Sequence, residues 1–269
     1  STGASLGTVR VKDYFNEDGS VNTENGYLRI RTVREVYAGA TSNVAWDSWA
    51  WSQSRNYRFL SVNAGTTEAD TVDLGEGRTA NAGAWMYFAG DGDDVITARE
   101  GDIVYGGEGA DTLYAQGSLT DIHGGAGDDE ITVRGEDGEN LDHVVVRADS
   151  GDDTIHAYGS YHYLNGGAGD DEIHIWSDEN SEEESHNDAV SGNKGNDTIY
   201  VHAGYGHVVN GGAGNDSIYV TADSSRVSGG DGNDTIQATG DDNTINGGNG
   251  NDVLFAEGND KIGNGSVVT

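Results

Sequence analysis

The chain has 269 residues, of which 34% are hydrophobic, and a formal net charge of −33 from 47 acidic and 14 basic residues. This balance excludes nucleic acid and anionic membrane surfaces as expected partners and favours bound cations. No apolar stretch is long enough to predict membrane insertion, and the absence of cysteine excludes disulfide bonds within the chain.

Residues 1–88 lack good repeats and hold four of the five tryptophans. The segments 27–37 and 57–62 are typical of strands, and ADTV at 69–72 has the form of a decayed copy of the repeat that follows. We therefore expect residues 1–88 to form an aromatic-rich N-terminal cap with degenerate coils, because bulky rings cover the exposed end of a repeat core.

One aromatic segment of this cap is a candidate ligand site. In WDSWAW (46–51) the alternation of Trp46, Trp49 and Trp51 with smaller residues would place rings on one exposed face. Aromatic rings of that kind stack on sugars, so these three residues are candidate ligand-binding residues, with a structural role in the cap as the competing interpretation.

From residue 89 onwards the chain repeats a glycine-rich nonapeptide, exemplified by GGAGNDSIY (211–219). The aspartate of each copy recurs at spacings of 17, 18, 24, 18, 26, 19, 18 and 18 residues. A period near twenty residues predicts a solenoid. The nine aspartates are Asp94, Asp111, Asp129, Asp153, Asp171, Asp197, Asp216, Asp234 and Asp252.

Each copy combines groups that suit a cation. The glycines permit positive φ and bring backbone carbonyls close to one point, towards which the aspartate projects its carboxylate. In the copy at 211–219, Ile218 is predicted to face inward while Ser217 and Tyr219 face outward. Carbonyl and carboxylate oxygens are the ligands that Ca²⁺ prefers. The candidate calcium residues are the nine aspartates and the glycines two positions before them, Gly92, Gly109, Gly127, Gly151, Gly169, Gly195, Gly214, Gly232 and Gly250.

The pattern G-G-x-G-x-D-x-U-x, which covers roughly residues 89–262, resembles the RTX, or hemolysin-type, calcium-binding nonapeptide repeat. This resemblance implies an all-β parallel β-roll or β-solenoid with coils of about 18 residues and Ca²⁺ between the turns of successive coils. It also implies a secreted bacterial protein, exported through a type I system, that folds on meeting extracellular calcium.

The second half of each coil departs from the family pattern. In VTADSSRVS (220–228) and ATGDDNTIN (238–246), Ser225 and Asn243 replace the aspartate. We therefore expect one calcium-binding turn per coil, a single column of aspartates and about eight ions between nine turns. Asp260 is out of phase and is not counted. Two carboxylates about 5 Å apart repel by roughly 3 kcal/mol, so the stack should require its cations.

Residues 89–269 are predicted to form the roll, continuous with the cap and with insertions near 134–148 and 177–190 in the degenerate half. The acidic segment 178–188 is interpreted as a flexible loop, with low-affinity cation binding as an alternative. The histidines are predicted to be exposed spacers. His156, His174 and His202 would line an outer sheet face. His162 and His207 would lie in the degenerate turns, with His123 at a strand position near them.

Three functions follow from these features. The repeats and the charge favour a secreted calcium-binding domain of an adhesin or surface-layer protein, or an accessory module that binds a polysaccharide or a cell surface. A β-solenoid polysaccharide epimerase or lyase is the alternative, although spacing singles out no catalytic residue. A calcium-dependent ice-binding module is a third possibility. It would need a regular outward Thr/Asn row, which Glu130 and Glu172 interrupt.

Overall fold

The structure is a computed structural model that describes residues 28–30, 45–46, 58–76, 84–176, 187–263 and 266–268. These parts of the chain form strands, turns and loops, and none contains a helix long and apolar enough to cross a bilayer. Trp49 and Trp51 lie outside the described residues, as does most of the acidic segment 178–188.

The strands follow one another at short, regular intervals. In chain order they are β1 Leu28–Ile30, β2 Ala45–Trp46, β3 Arg58–Ala64, β4 Thr71–Asp73, β5 Trp85–Asp91, β6 Val95–Ala98, β7 Ile103–Glu108, β8 Thr112–Ala115, β9 Asp121–Ala126, β10 Glu130–Val133, β11 Leu141–Asp142, β12 Val145–Ser150, β13 Thr154–Ser160, β14 Tyr163–Ala168, β15 Glu172–Trp176, β16 Ala189–Lys194, β17 Thr198–Val201, β18 Val208–Ala213, β19 Ser217–Thr221, β20 Arg226–Asp231, β21 Thr235–Thr239, β22 Thr244–Asn249, β23 Val253–Glu257, β24 Lys261–Ile262 and β25 Ser266–Val268.

Two sheets lie face to face. The first sheet has the order β1-β3-β5-β7-β9-β12-β14-β16-β18-β20-β22-β24, with β2 beside β3. The second has the order β25-β23-β21-β19-β17-β15-β13-β10-β8-β6-β4, with β11 beside β13. From β3 onwards neighbouring strands are parallel, and only β1 and β2 pair antiparallel, both with β3. The chain is thus an all-β parallel solenoid of about nine coils, as predicted.

Each coil has two turns, which define two edges. The turn from a first-sheet strand to the following second-sheet strand carries the repeat aspartate, and we name this side the Asp edge. The return turn lies on the opposite edge. The 24-residue and 26-residue coils keep the same register, since Ile131 pairs with Ile155 and Ile173 pairs with Ile199. In the 24-residue coil the extra residues lie between β10 and β12, on the side of the return turn, and include β11, which pairs with β13.

The core is a narrow column of aliphatic side chains between the two sheets. Strand alternation directs Ile218 inward at 0% exposure, while Ser217 and Tyr219 lie on the outer face, as predicted. Burial of each such side chain contributes about 1.5–3 kcal/mol. The second sheet supplies Ile96, Leu113, Ile131, Ile155, Ile173, Ile199, Ile218, Ile236 and Leu254, and the first supplies Val104, Ile122, Val146, Leu164, Val190, Val209, Val227 and Ile245.

The decayed repeat at 69–72 occupies a place in the solenoid. β4 pairs in parallel with β6, and the backbone N–H of Asp70 donates to Asp94 Oδ1 at 2.6 Å. Asp70 therefore stands one coil before the first full turn of the Asp edge. Of the tryptophan segment, Trp46 is described only as part of β2, where its backbone pairs with that of Arg58.

Candidate metal centre

The structure brings the nine repeat aspartates into one buried column along the Asp edge. Each side chain is buried, with residual exposures of 1–2%. From Asp94 to Asp234, the backbone N–H of each aspartate donates to the Oδ1 atom of the aspartate in the next coil, as between Asp111 and Asp129 at 2.8 Å and between Asp216 and Asp234 at 2.9 Å. One carboxylate oxygen of each residue therefore joins successive coils.

The second carboxylate oxygen has no such partner. The Oδ2 atoms of all nine aspartates are buried and accept no hydrogen bond. A Cβ atom added to Gly211 would stand within 3.0 Å of both Asp216 Oδ2 and the backbone carbonyl oxygen of Gly229 in the next coil. Two hard oxygens from successive coils thus converge beside this turn, and the same convergence is present beside the turns of Asp111, Asp129 and Asp234. The donor set therefore fits Ca²⁺.

The glycine two positions before each aspartate is required by the backbone. These nine glycines have φ between 112° and 145°. A Cβ at Gly214 would collide with the carbonyl oxygen of Gly195 one coil earlier. At the second position of the repeat the constraint is weaker, because Asp149 and Asn193 adopt φ of 78° and 80° there. Asn and Asp tolerate the left-handed region, which explains why two altered copies keep the turn.

Burial raises the pKa of the first eight of these carboxyl groups, from Asp94 to Asp234. Desolvation is the largest cause, and neighbouring aspartates add to it. The pKa of Asp111 rises to about 6, that of Asp129 to about 7 and that of Asp171 to about 8. The ionised column is thus unfavourable on its own, and a cation beside the Oδ2 atoms would reverse the effect.

A second ladder lies outside the first. From Asp93 to Asn233, with the exception of Ala110, the residue before each aspartate accepts, through its side-chain Oδ1, the backbone N–H of the same position one coil later, as between Asn196 and Asn215 at 2.9 Å. In the ladder of repeat aspartates the hydrogen bonds run in the opposite direction along the solenoid, since the N–H of Asp197 donates to Asp216 in the following coil. Each turn is therefore held from both sides. Within the described residues no three His, Asp or Glu side chains converge as a metal-binding group. A cation here must be held by carboxylate and carbonyl oxygens together.

Comparison with known families matches this geometry. A family model of the RTX calcium-binding nonapeptide repeat matches residues 87–113, 120–139, 147–174, 184–205, 208–224 and 228–262, more than half of the chain. The chain belongs to the RTX calcium-binding nonapeptide repeat family. RTX repeats bind Ca²⁺, and the matched segments contain all nine repeat aspartates.

One solved structure resembles this RTX chain. It is described as a hyperactive, Ca²⁺-dependent, β-helical antifreeze protein from an Antarctic bacterium. The two chains are 23% identical with a TM-score of 0.57, so the likeness shows the fold alone. The match covers 76% of this chain and 62% of that protein. This chain therefore spans less than two thirds of the antifreeze protein's length. No curated protein sequence matches it.

The opposite edge of the RTX roll carries a different column. The N–H of Ser225 donates to Asn243 Oδ1 at 2.9 Å, and the N–H of Asn243 donates to Asp260 Oδ1 at 2.8 Å. Asp260 thus belongs to this edge, which explains its phase offset. The prediction that His162 and His207 are exposed spacers was wrong, since they are 2% and 0% exposed.

These two histidines are buried because they occupy the same inward turn position that aspartates occupy on the Asp edge. The N–H of His162 donates to Asp188 Oδ1 at 2.7 Å, and Asp188 Oδ2 lies 3.2 Å from His207 Nδ1. Desolvation lowers the pKa of His162. No sequence motif marked this cluster. The usable signal was that the spacings from His162 to Asp188 and from Asp188 to His207 equal those from Asp171 to Asp197 and from Asp197 to Asp216.

His156, His174 and His202 lie on the outer face of the second sheet, as predicted. They belong to a stack of rings that the sequence did not indicate. His174 stacks on Trp176, on Tyr200 and on His202 with interplanar angles of 6°, 15° and 8°. No residue of the chain is assigned a catalytic role, and the epimerase or lyase alternative remains a hypothesis.

Proposed function

We propose that this chain is an extracellular module that folds when Ca²⁺ binds along the Asp edge, and that it serves a secreted adhesin, surface-layer protein or polysaccharide-binding protein. One observation carries the proposal, namely the nine buried Oδ2 atoms without a hydrogen-bond partner. A buried carboxylate without a partner is costly, so a column of nine calls for counter-charge.

In the proposed arrangement each ion lies between two successive turns. The Oδ2 atoms of the repeat aspartates would supply the charge, and the glycine carbonyls of the same and the next turn would supply neutral oxygens. Nine turns stacked in this way give about eight sites. The convergence of Asp216 Oδ2 and the Gly229 carbonyl oxygen supports this ligand set, as does the equivalent convergence of Asp111 Oδ2 and the Gly124 carbonyl oxygen.

Calcium also provides the proposed control of folding. Ligands presented by several coils are assembled only in the folded chain, so ion binding becomes folding free energy. At the low calcium level inside a cell, the negative charge of the ionised aspartate column would have no counter-charge. At the extracellular level, where modules with dissociation constants of about 10⁻⁴–10⁻³ M are occupied, the roll would form.

The test is a calcium titration of chelator-stripped protein, followed by far-UV circular dichroism and calorimetry. We expect β signal to appear cooperatively near extracellular calcium levels, with about eight ions bound. We also expect Mg²⁺ to fail as a substitute, because it demands octahedral geometry and dehydrates reluctantly. A protein equally folded in chelator, with few ions bound, would overturn the proposal.

Ice binding is the second candidate function, and one surface of the last coils favours it. The outer ladder becomes a row of asparagines, Asn196, Asn215, Asn233 and Asn251. Beside it runs the row Thr198, Ser217 and Thr235, in register from coil to coil. The solved protein of similar fold is described as an antifreeze protein. A thermal hysteresis assay of the calcium-loaded chain decides the matter, and absence of hysteresis rejects this candidate.

A further inference from the structure

The outer face of the second sheet carries two adjacent columns of rings. In the inner column Tyr200 stacks on Tyr219 with centroids 5.0 Å apart and an interplanar angle of 11°. In the outer column Tyr158 stacks on Trp176 at 4.8 Å, and Trp176 stacks on His202 at 4.9 Å and 4°. Rings stacked this way along the solenoid cover one another's faces. They turn their edges outward, so the middle of the array offers no flat platform to a ligand.

The outer column ends at His202, and there a ring face becomes accessible. The strand register places Thr221 in the next coil of that column and Thr239 in the coil after it. The inner column continues for one more ring, Tyr219, and is then followed by Gln237. The stack therefore ends in a step, and the side of His202 that looks away from Trp176 faces a threonine instead of another ring.

This step forms a cleft of about 260 Å³, lined by Tyr200, His202, Tyr219, Thr221, Gln237 and Thr239, with Val201 and Val220 between them. The imidazole of His202 is held in place by its stacking and by the contact of its Nε2 with His174 Nδ1 at 3.3 Å. Burial, followed by the neighbouring His174, lowers the pKa of His202. The ring at the end of the stack is therefore neutral at physiological pH.

The cleft has the composition of a carbohydrate subsite. A ring face accepts the C–H face of a pyranose, while hydroxyl and amide groups around it pair with the sugar hydroxyls. Thr221, Thr239 and Gln237 supply such groups on one side, and the phenol of Tyr219 supplies another. The volume lies below the roughly 300–1,000 Å³ of drug-sized pockets, which fits a single sugar ring.

The charge of the cleft and of the whole chain determines which class of sugar can bind. The lining holds no Lys or Arg, and the chain carries a net charge of −33, so an acidic glycan would be repelled. We propose that this cleft binds one neutral pyranose unit of a polysaccharide, stacked on His202 and bordered by Tyr219. This inference rests on the proposed calcium-dependent roll, because the cleft exists only when three successive coils are in register, and it names a ligand class for that module.

The experiment is affinity electrophoresis of the calcium-loaded chain through gels containing soluble neutral polysaccharides, namely dextran, galactomannan and hydroxyethylcellulose. Gels containing alginate or polygalacturonate serve as acidic comparisons. We expect at least one neutral polymer, and neither acidic polymer, to retard the protein. Free monosaccharide of the same type should relieve the retardation.

Two variants test the cleft itself. Thr221→Tyr should extend the outer column by one ring and fill the step, and Tyr219→Ala should remove its border. Each should raise the polysaccharide concentration needed for half-retardation by about tenfold. Tyr114→Ala is the matched control, because Tyr114 occupies the same column as Tyr219, is also half-buried and lies outside the cleft.

Calcium-dependent circular dichroism of every variant separates the two proposals. If the protein folds with calcium but no neutral polymer retards it, the sugar site is rejected while the calcium-dependent roll stands. Retardation that survives Thr221→Tyr in a folded protein also rejects the site. If the protein does not respond to calcium, the proposed function itself fails.

Discussion

Asp197 donates its backbone N–H to Asp216 Oδ1 at 2.9 Å, and the other oxygen of the same Asp216 carboxylate is buried without a partner. One side chain therefore has two separate tasks. Its Oδ1 atom fixes the spacing of two coils, and its Oδ2 atom faces the point where a glycine carbonyl of the next coil converges. The same division recurs along the Asp edge, so the two tasks can be separated by substitution.

Asp171→Asn separates them. Asparagine keeps an acceptor for the N–H of Asp153 but places a neutral amide where Oδ2 stood. We expect the variant to bind one or two ions fewer and to lose about 2 kcal/mol of stability in saturating calcium. In chelator it should be at least as stable as the wild type, because a buried charge is gone. Ion counts by equilibrium dialysis and thermal melts in both buffers measure these effects.

Asp170→Asn is the control for this experiment. Asp170 is exposed and accepts the N–H of Asn196 at 2.6 Å through Oδ1, a role that Asn196 itself performs for Asn215. The ion count should not change. Equal ion loss in the two variants would show that the ladder of residues before the aspartates also ligates calcium, and that the buried column of repeat aspartates is not the site.

Without metal, protonation of the buried aspartates at low pH should stabilise the folded state in place of calcium. The folded pKa values of Asp171 and Asp129, about 8 and 7, lie above the ordinary value of 3.8, so the folded state binds protons more tightly than the unfolded chain. This stabilisation is fully present below about pH 4 and is lost as pH rises through 6 to 8. The melting temperature in chelator should therefore fall as pH rises over this window.

The same carboxyl groups must be ionised to bind metal, so calcium should be released as the protein is acidified. Asp171→Asn serves as the control, since it removes the group that titrates highest and should flatten the chelator curve above pH 7. A melting temperature that climbs with pH in chelator would mean that the carboxylates are stabilised by other contacts.

The two conformationally special positions of the turn should respond differently to substitution. At the second position Asn193 and Asp149 stand where other copies have glycine, so Gly212→Asn should cost less than about 1 kcal/mol and Gly212→Ala more. At Gly214, where φ is 141°, Asn and Ala should both cost about 2 kcal/mol or more. Denaturation in saturating calcium measures all four variants, and Gly212→Ala equal to Gly212→Asn would contradict the strain account.

The Asp edge could be predicted because the conformation of each of its turns depends on residues that are close together in the sequence. Each nonapeptide contains the glycines, the aspartate and the inward aliphatic residue that its own turn and strand require. Even the decayed copy at Asp70 was visible, and the structure places it one coil before Asp94. The inward position of Ile218 followed from strand alternation alone.

The features that escaped prediction depend on register between coils. His202 and Trp176 are separated by a coil of 26 residues, and only the ladder of buried pairs such as Ile173 and Ile199 places their rings 4.9 Å apart. His207 lies in a return turn that has no motif. Its burial follows from the stacking of return turns and not from its own neighbours in sequence.

The opposite edge yields the last prediction, which concerns the buried pair of Asp188 and His207. Both side chains have 0% exposure, and Asp188 also accepts the N–H of His162. Asp188→Ala removes the acceptor of the buried His162 N–H and the carboxylate beside His207, so we expect it to cost about 3 kcal/mol in saturating calcium. Because the pair stands away from the Asp edge, the number of bound ions should not change.

Ser225→Ala is the comparison. The Ser225 hydroxyl accepts the N–H of His207 at 3.2 Å and donates to the carbonyl oxygen of Asp223 at 3.1 Å, so its loss should cost about 1–2 kcal/mol. Urea denaturation in saturating calcium ranks the two variants, and equilibrium dialysis counts their ions. If Asp188→Ala costs no more than Ser225→Ala, the buried pair does not stabilise the return turns. If it also loses calcium, the two edges are coupled through the core, and the Asp edge does not act independently of the opposite edge.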